Sequence, residues 1–433
     1  MTKKRDGSSI ERILAGIPLP RLVSVELKFD RPTVGDVRAT TAAELSGSGI
    51  LDSVGPGARI ALTAGSRGIV NYADIIAEAV LALRTRGARP FLVPAMGSHG
   101  GATAEGQRAL LEGMGITEAT VGAPIESSME VTQVGVTDDG LPVNIDRTAA
   151  AADGILLINR IKPHVGFRGK YESGLFKMMA IGLGKQHGAG LCHDLGFGKM
   201  GENVEKIARV VLGTGKIIGG VATTENAYHE TARVEVLRPE AIADREPELL
   251  EEAKALLPVL PIDPVDVLVI DRIGKDVSGT GFDTNVVGRY HTPYASGGPS
   301  VTRLVILDLT EASHGNANGI GIADFTTERL YEKMSFVDTY PNSLTSTVPI
   351  SVKLPMVLPS DRLAIQAGIR TCNIRSKEHV RLVRIRDTLS MSSILVSENL
   401  VEEARKIRGA TVSSEAEALR FDESGNLATA GAH

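Results

Sequence analysis

Short apolar runs alternate with amphipathic stretches along the first half of the chain. The run ARIALTA at 58–64 ends at Gly65, and NYADIIAEAVLALRTRGA at 71–88 repeats apolar positions at the spacing of one helical face, with Asn71 as the N-cap and Gly87 at the end. RPFLVPAMG then predicts a second strand and GATAEGQRALLEGMGI a second helix. This order predicts a parallel sheet with right-handed crossovers.

The pattern continues through the second half of the chain. GILLINR, at 154–160, begins with the continuous apolar run of a strand covered on both faces. After an acidic helix and a proline-rich connector at 258–264, VDVLVID and VTRLVILDL predict strands, and DFTTERLYEKM and SENLVEEARKI predict helices. We expect two α/β domains with mostly parallel sheets, 1–260 and 261–433, the first with the histidine and lysine motifs and the second closing a cofactor and substrate cleft between them.

Composition narrows the class of protein. The 433 residues contain 47 glycines and no tryptophan, and the net charge of -5 does not favour nucleic acid as a partner. The two cysteines, Cys192 and Cys372, lie far apart, which favours a reducing compartment over a disulfide scaffold. The N-terminus lacks the apolar run of a signal peptide, and no run of about 18 apolar residues predicts a membrane span. We expect a cytoplasmic protein.

Two strand-to-helix loops carry candidate chemistry. Ser66 and Arg67, between Gly65 and Gly68, offer a hydroxyl, a guanidinium and backbone N–H groups to an anion, although an ordinary turn with a surface arginine has the same pattern. His99 lies among glycines in the next such loop, where its imidazole is accessible; a solvated loop histidine is the alternative. Both loops follow the carboxyl ends of predicted parallel strands, where ligands collect.

A third stretch, RIKPHVGFRGKYESGLFKMMAIGLGKQHGAGLCHDLG at 160–196, concentrates positive charge and imidazole. His164 ends an alternating strand-like series, and Lys177 lies in an apolar segment where a lysine snorkels, pairs or reacts. His187 and His193 are six residues apart, so they do not share the helical face of a two-histidine metal site. Either one remains able to serve as a single metal ligand.

The motifs that are missing are equally informative. The sequence contains no HExxH, no CxxC, no GxSxG and no GxGxxG at a strand-to-helix turn, which disfavours zinc hydrolases, serine hydrolases and dinucleotide enzymes. Two histidines, a lysine and an arginine remain. Two imidazoles that act as alternate base and acid suit a racemase or epimerase, which also needs an electron sink that side chains do not supply.

The motifs GSRG, GSHGGAT and KPHVGFRGKYESGLFKMMAIGLGKQHGAGLCH resemble the nickel-dependent lactate racemase family. The resemblance implies two α/β domains and a nickel-pincer nucleotide that takes the substrate α-hydrogen as hydride and returns it on either face. It implies Lys177 as the attachment site, His99 and His164 as the acid/base pair, and His193 as the nickel ligand, with His187 as the second choice. The expected cofactor contacts are Ser66, Arg67, Lys275 and Asn285, and Arg67 is also expected at the substrate carboxylate. Arg168 and Lys170 are additions to the family's pattern, and we expect them to contact the substrate as well.

The predicted function is therefore an isomerase that racemises or epimerises a 2-hydroxy acid. Arg168 and Lys170 favour a larger or more acidic hydroxy acid, or a sugar acid, over lactate. Two alternatives stay open: a cofactor-independent lyase or isomerase that uses Lys177 as an active amine, and a non-enzymatic anion- or nucleotide-binding protein. The expected partner is a small hydroxy acid, with neither nucleic acid nor membrane, and the oligomeric state, a homo-oligomer included, is left open.

Overall fold

The computed structural model describes residues 8–66 and 68–428, which divide into two compact units. Residues 30–257 form one, here called the N-terminal unit. The described residues after 257 form the other, the C-terminal unit, together with those before residue 30. The division after residue 257 lies close to the expected boundary at 260, but the first strand of the chain belongs to the C-terminal unit.

The described strands, numbered along the chain, are β1 (Arg21–Leu27), β2 (Arg59–Ala64), β3 (Arg89–Pro94), β4 (Val131–Val136), β5 (Pro142–Asp146), β6 (Gly154–Arg160), β7 (Ile217–Glu225), β8 (Thr231–Leu237), β9 (Val265–Ile270), β10 (Val301–Ile306), β11 (Phe325–Thr327), β12 (Met356–Leu358), β13 (Leu382–Ile385), β14 (Ser393–Ser397), β15 (Ala410–Val412) and β16 (Glu417–Ala418).

The described α-helices are α1 (Ser8–Leu14), α2 (Val37–Ser48), α3 (Tyr72–Thr85), α4 (Ala104–Gly113), α5 (Glu118–Val121), α6 (Arg147–Ala150), α7 (Leu175–Lys177), α8 (Lys185–Asp194), α9 (Phe197–Gly213), α10 (Pro239–Ala255), α11 (Thr284–Val287), α12 (Glu328–Lys333), α13 (Phe336–Ser346), α14 (Asp361–Thr371) and α15 (Val401–Ala404). A π-helix, Met178–Gly182, lies between α7 and α8. Among the described residues, every helix is too short or too polar to span a membrane.

The N-terminal unit is built on a five-stranded sheet in the order β3-β2-β6-β7-β8. The first four strands are parallel, as predicted, and Ala61 of β2 lies between Phe91 of β3 and Ile155 of β6. The edge strand β8 is antiparallel, and β4 and β5 form a separate hairpin that the sequence patterns do not anticipate. Since the carboxyl ends of β3, β2, β6 and β7 meet at one edge, the loops that follow them are neighbours.

Helix α3 packs on this sheet through the predicted apolar face. Its buried residues are Tyr72, Ile75, Ile76, Ala79, Val80 and Leu83. The predicted N-cap is wrong in its chemistry, because the Asn71 side chain makes no cap bond. Its Nδ2 donates instead to Thr231 Oγ1 at 3.0 Å. Asn71 has φ 58°, and its side-chain amide makes this tertiary contact rather than a bond at the helix end.

The C-terminal unit has a larger mixed sheet in the order β12-β11-β10-β9-β13-β14-β1-β15, with β16 also paired to β1. Strands β12 to β13 are parallel, and β14, β1, β15 and β16 pair antiparallel. The predicted helix DFTTERLYEKM begins later than expected. Phe325–Thr327 are buried and form β11, and the Thr327 side chain then accepts from Leu330 N to begin α12.

Candidate functional site

Two of the predicted loops of the N-terminal unit meet on the helical segment that follows Lys177. A Cβ atom on Gly65, in the loop after β2, would lie 3.5 Å from Met178 Cε. Gly97, in the loop after β3, donates from its N–H to Gly182 O at 3.3 Å. The sequence-predicted loops therefore surround the two ends of the π-helix.

The loop after β2 is held at its first residue. The Tyr72 hydroxyl accepts from Gly65 N at 2.8 Å and donates to Ile158 O at 3.2 Å. Ser66 follows and is half-buried. Arg67, predicted to contact the cofactor phosphate and the substrate, lies outside the described residues.

The His99 loop fixes the tautomer of its imidazole. His99 is exposed, and its Nδ1 lies 2.7 Å from Met96 O. Because a carbonyl oxygen only accepts, Nδ1 carries the proton, and in the neutral ring Nε2 carries the lone pair. Glycine is required at Gly100, where φ is 66° and a Cβ would lie 2.5 Å from the Gly106 carbonyl carbon.

His164 has the opposite tautomer. Strand β6 ends at Arg160, so loop contacts, rather than the sheet periodicity predicted for this stretch, position His164. Its Nδ1 accepts from Gly166 N at 3.0 Å, so in the neutral ring the proton is on Nε2. The His164 N–H in turn donates to Oε2 of the buried Glu172 at 2.7 Å. The two predicted acid/base histidines therefore differ at Nε2, one with a lone pair and one with a proton.

Arg168 and Lys170 lie in the same loop with different surroundings. Arg168 Nη1 donates to His164 O at 2.7 Å and to Glu172 Oε2 at 3.3 Å, so this guanidinium braces the loop. Lys170 is exposed, with its Nζ 5.3 Å from the centroid of the Tyr171 ring. Their predicted role in substrate binding stays a prediction.

An aromatic cluster brings His164 and His193 together. The His164 ring centroid lies 4.4 Å from that of Phe167 and 6.1 Å from that of Phe197. The His193 ring centroid lies 5.6 Å from the same Phe197 ring. Both phenylalanines are buried. One apolar wall therefore supports a predicted acid/base residue and the predicted metal ligand.

Lys177 is half-buried where α7 passes into the π-helix. The transition is marked by a bond from Leu183 N to Met178 O at 2.8 Å, five residues apart. Such π-segments are frequent at functional sites. The start of α7 is held by Glu246 of α10, whose Oε2 accepts from Phe176 N at 3.0 Å. A buried carboxyl therefore fixes the turn that presents Lys177.

Glu246 gives a pH prediction. Burial raises the pKa of its carboxyl from about 4.5 to about 8, against the opposing effect of the bond from Phe176 N–H. Because the folded pKa lies above the unfolded one, the contribution to stability is present below pH 4.5 and is lost as the pH rises through 8. The free energy of unfolding of the wild type should therefore fall between about pH 5 and about pH 8. We expect this fall to be about 3 kcal/mol smaller in Glu246→Gln, whose side chain still accepts from Phe176 N.

Urea unfolding across this pH range measures the effect. The matched control is Glu240→Gln, an exposed glutamate at the start of the same helix, which should leave the slope as in the wild type. Parallel pH profiles for wild type and Glu246→Gln would contradict the prediction.

The lysine and the predicted metal ligand interact electrostatically. Burial, with a smaller effect from the Lys177 charge, lowers the pKa of His193 to about 4, so this imidazole is neutral at pH 7. Burial raises the pKa of the Cys192 thiol to about 12, with the Lys177 charge opposing, so this cysteine is an unreactive thiol. His187, the alternative ligand, is exposed, and its Nδ1 lies 3.4 Å from Asn144 Nδ2.

Two further predicted residues belong to the C-terminal unit. Lys275 follows β9 and donates from Nζ to Gly279 O at 2.8 Å. Asn285 is buried and donates from Nδ2 to Asp283 Oδ1 at 2.9 Å. These bonds place both side chains in the loop structure of that unit, and their predicted cofactor contacts stay predictions.

Sequence reasoning missed the residues that hold the site together: Phe167, Phe197, Glu172 and Glu246. Phe167 and Glu172 lie inside the quoted motif, and a single acidic residue among basic ones was the available signal for Glu172. Glu246 lies far along the chain in an acidic helix, and local patterns give no signal for it. Over 8–66 and 68–428, no group of three or more histidine, cysteine, aspartate or glutamate side chains is arranged to hold a metal ion.

Comparisons with known proteins give a matching domain family and a similar solved structure. Residues 66–195 match the family model of the lactate racemase N-terminal domain. The lactate racemase apoprotein from Thermoanaerobacterium thermosaccharolyticum has a similar structure, with a TM-score of 0.53 and 10% sequence identity, over 85% of this chain and 99% of that one. The search of curated proteins finds no match. The matched residues include His99, His164, Lys177 and His193. The likeness to the solved structure shows a shared fold.

Proposed function

We propose that the protein is a racemase or epimerase of a 2-hydroxy acid, a sugar acid included. The observation that carries the proposal is the opposite protonation of His99 and His164 at Nε2, on loops that follow parallel strands of one sheet. An acid/base pair for a hydroxyl group needs one imidazole with a lone pair and one with a proton. The match of this region to the lactate racemase N-terminal domain supports the same activity.

The residues of the site fit the nickel-pincer nucleotide that the family implies. His193 is neutral at pH 7, the form in which an imidazole binds a metal ion. Lys177 is half-buried beside it on a fixed turn, which suits a covalent attachment site. We assign His193 to the nickel and Lys177 to the nucleotide, with His187 as the second choice of ligand and Ser66, Arg67, Lys275 and Asn285 as further cofactor contacts. When bound, the group supplies the hydride acceptor that side chains lack.

The protein's own residues handle the proton and the orientation of the substrate. His99 Nε2 takes the hydroxyl proton of one enantiomer and returns it, while His164 Nε2–H donates to the hydroxyl oxygen. Arg67 and Lys170 are assigned to the substrate carboxylate, and Arg168 completes that set while it braces the His164 loop. Phe167 and Phe197, which are both buried, provide an apolar wall beside the two histidines His164 and His193.

A cytoplasmic location is part of the proposal. Both Cys192 and Cys372 are buried free thiols, which favours the reducing conditions of the cytoplasm.

The proposal is tested with single enantiomers of 2-hydroxy acids deuterated at the α-carbon. With protein produced together with the cofactor pathway, we expect the opposite enantiomer to form and to keep the deuterium, because the hydrogen leaves and returns without entering water. Chiral chromatography and mass spectrometry measure both quantities. Products that carry solvent hydrogen, together with borohydride trapping of Lys177, would favour the cofactor-independent alternative. Tight anion binding without turnover would favour the binding protein.

A further inference from the structure

A buried ion pair lies next to the loop that contains His99. The side chains of Lys185 and Asp146 are both fully buried, with Lys185 Nζ 3.1 Å from Asp146 Oδ2. Burial lowers the pKa of Lys185, and the Asp146 carboxylate opposes this effect. Lys185 also has φ 55°, a left-handed conformation that residues other than glycine rarely adopt. Tertiary contacts therefore stabilise this backbone conformation, and the same contacts connect Lys185 to the His99 loop.

Gln107 of α4 connects the ion pair to the loop. Lys185 Nζ donates to Gln107 Oε1 at 3.2 Å, and Gln107 Nε2 donates to Gly97 O at 2.8 Å and to His99 O at 3.3 Å. Lys185 Nζ also donates to Pro94 O, at the end of β3. Two buried side chains thus hold the carbonyl groups at both ends of the loop that presents the imidazole.

The same lysine begins the helix of the predicted metal ligand. Lys185 is the first residue of α8, which contains His193. The loop lies close against this segment, since a Cβ on Gly97 would be 3.2 Å from Ile181 Cγ2 and 3.3 Å from Ala189 Cβ. A shift of Lys185 would therefore move the His99 loop and α8 relative to each other.

We propose that Gln107 is a positioning residue. The buried Lys185–Asp146 pair holds Gln107, and Gln107 in turn fixes the position of His99 relative to Lys177 and His193. Replacement of a buried ion pair by apolar residues is often neutral for stability, so stability alone does not account for this pair. The inference deepens the proposed function and rests on it for the role of His99. The positions of Gln107, Lys185 and the His99 loop do not depend on the reaction.

The test uses Gln107→Met and Gln107→Glu in the full chain. Methionine has a similar volume but makes none of the three bonds, and glutamate still accepts from Lys185 but cannot donate to Gly97 O or His99 O. In the cofactor-loaded protein we expect kcat to fall by about ten- to a hundredfold in both variants, because a small displacement of an acid/base group is costly. KM should stay within about twofold, since no group assigned to the substrate is removed. The matched controls are Gln133→Met and Gln133→Glu, on an exposed side chain of β4.

A second measurement does not depend on activity. In cofactor-free protein with ¹⁵N-labelled histidine, the His99 ring resonances should shift in both Gln107 variants and remain in place in both Gln133 variants. Unchanged His99 resonances, or shifted resonances with an unchanged kcat, overturn the inference. If wild type converts no hydroxy acid, the proposed function fails, and the His99 resonances alone decide whether Gln107 positions the loop.

Discussion

Replacement of Lys177 by arginine should abolish covalent attachment of the cofactor and, with it, all isomerase activity. Arginine keeps the charge and the helix preference of the lysine but lacks the amine that forms the attachment. The fold should survive, because Lys177 is half-buried and the α7 turn is held by Glu246. Intact-mass spectrometry should find the bare polypeptide mass, and metal analysis should find nickel well below one per chain.

The matched control for this variant is Lys199→Arg. Lys199 is exposed on α9 and pairs with Glu202 at 3.0 Å, so its replacement should leave both the added mass and the nickel in place. An added mass that persists in Lys177→Arg would reject Lys177 as the attachment site. Wild type without added mass or nickel, when produced with the cofactor pathway, would reject the cofactor assignment itself.

His99→Gln and His164→Gln should each lower kcat by about 10²- to 10⁴-fold, the range for loss of a general acid or base. Glutamine keeps a polar side chain but transfers no proton at neutral pH. Because the two imidazoles act on the same hydroxyl group, the double variant should lose much less than the product of the single effects. The measurement is racemisation of the best substrate from both enantiomers, at matched cofactor loading.

An exposed histidine of the C-terminal unit provides the control. His379, whose Nδ1 lies 3.0 Å from Ser376 Oγ, should tolerate the change to glutamine without loss of kcat. Losses below about tenfold in both single variants would mean that neither imidazole acts as the acid or base.

Periodicity predicted the parallel strands of the N-terminal unit because their apolar runs are continuous and their crossover helix α3 is strongly amphipathic. It did not predict how His164 is placed. The alternation of Arg160, Lys162 and His164 predicts one shared face, with the strand stopped by Pro163, but the strand already ends at Arg160. Glu172 then holds the loop, through a contact between residues eight positions apart.

The main candidate residues came from three short motifs, one of which also contains Lys185, but the contacts that position them cannot be read from those motifs. Gln107 and Lys185 lie in predicted helical and glycine-rich stretches, where the letters give no indication that they contact each other. Asn71 shows the same limit on a smaller scale, because a residue suited to a cap is used elsewhere when a tertiary partner is better placed. Side chains buried against distant parts of the chain are set by packing, which local patterns do not report.

Strand β1 has a consequence for synthesis on the ribosome. It pairs with β14, and the Ser393 hydroxyl that donates to Glu26 lies 367 positions away along the chain. At translation rates of about 5–20 residues per second, β1 therefore waits roughly 20–70 s for this partner. During that interval the whole N-terminal unit leaves the ribosome and can fold. The apolar strand β1 is then attached to a folded unit but still lacks its partner strand. Chaperones that shield extended segments should meet this protein early in its synthesis.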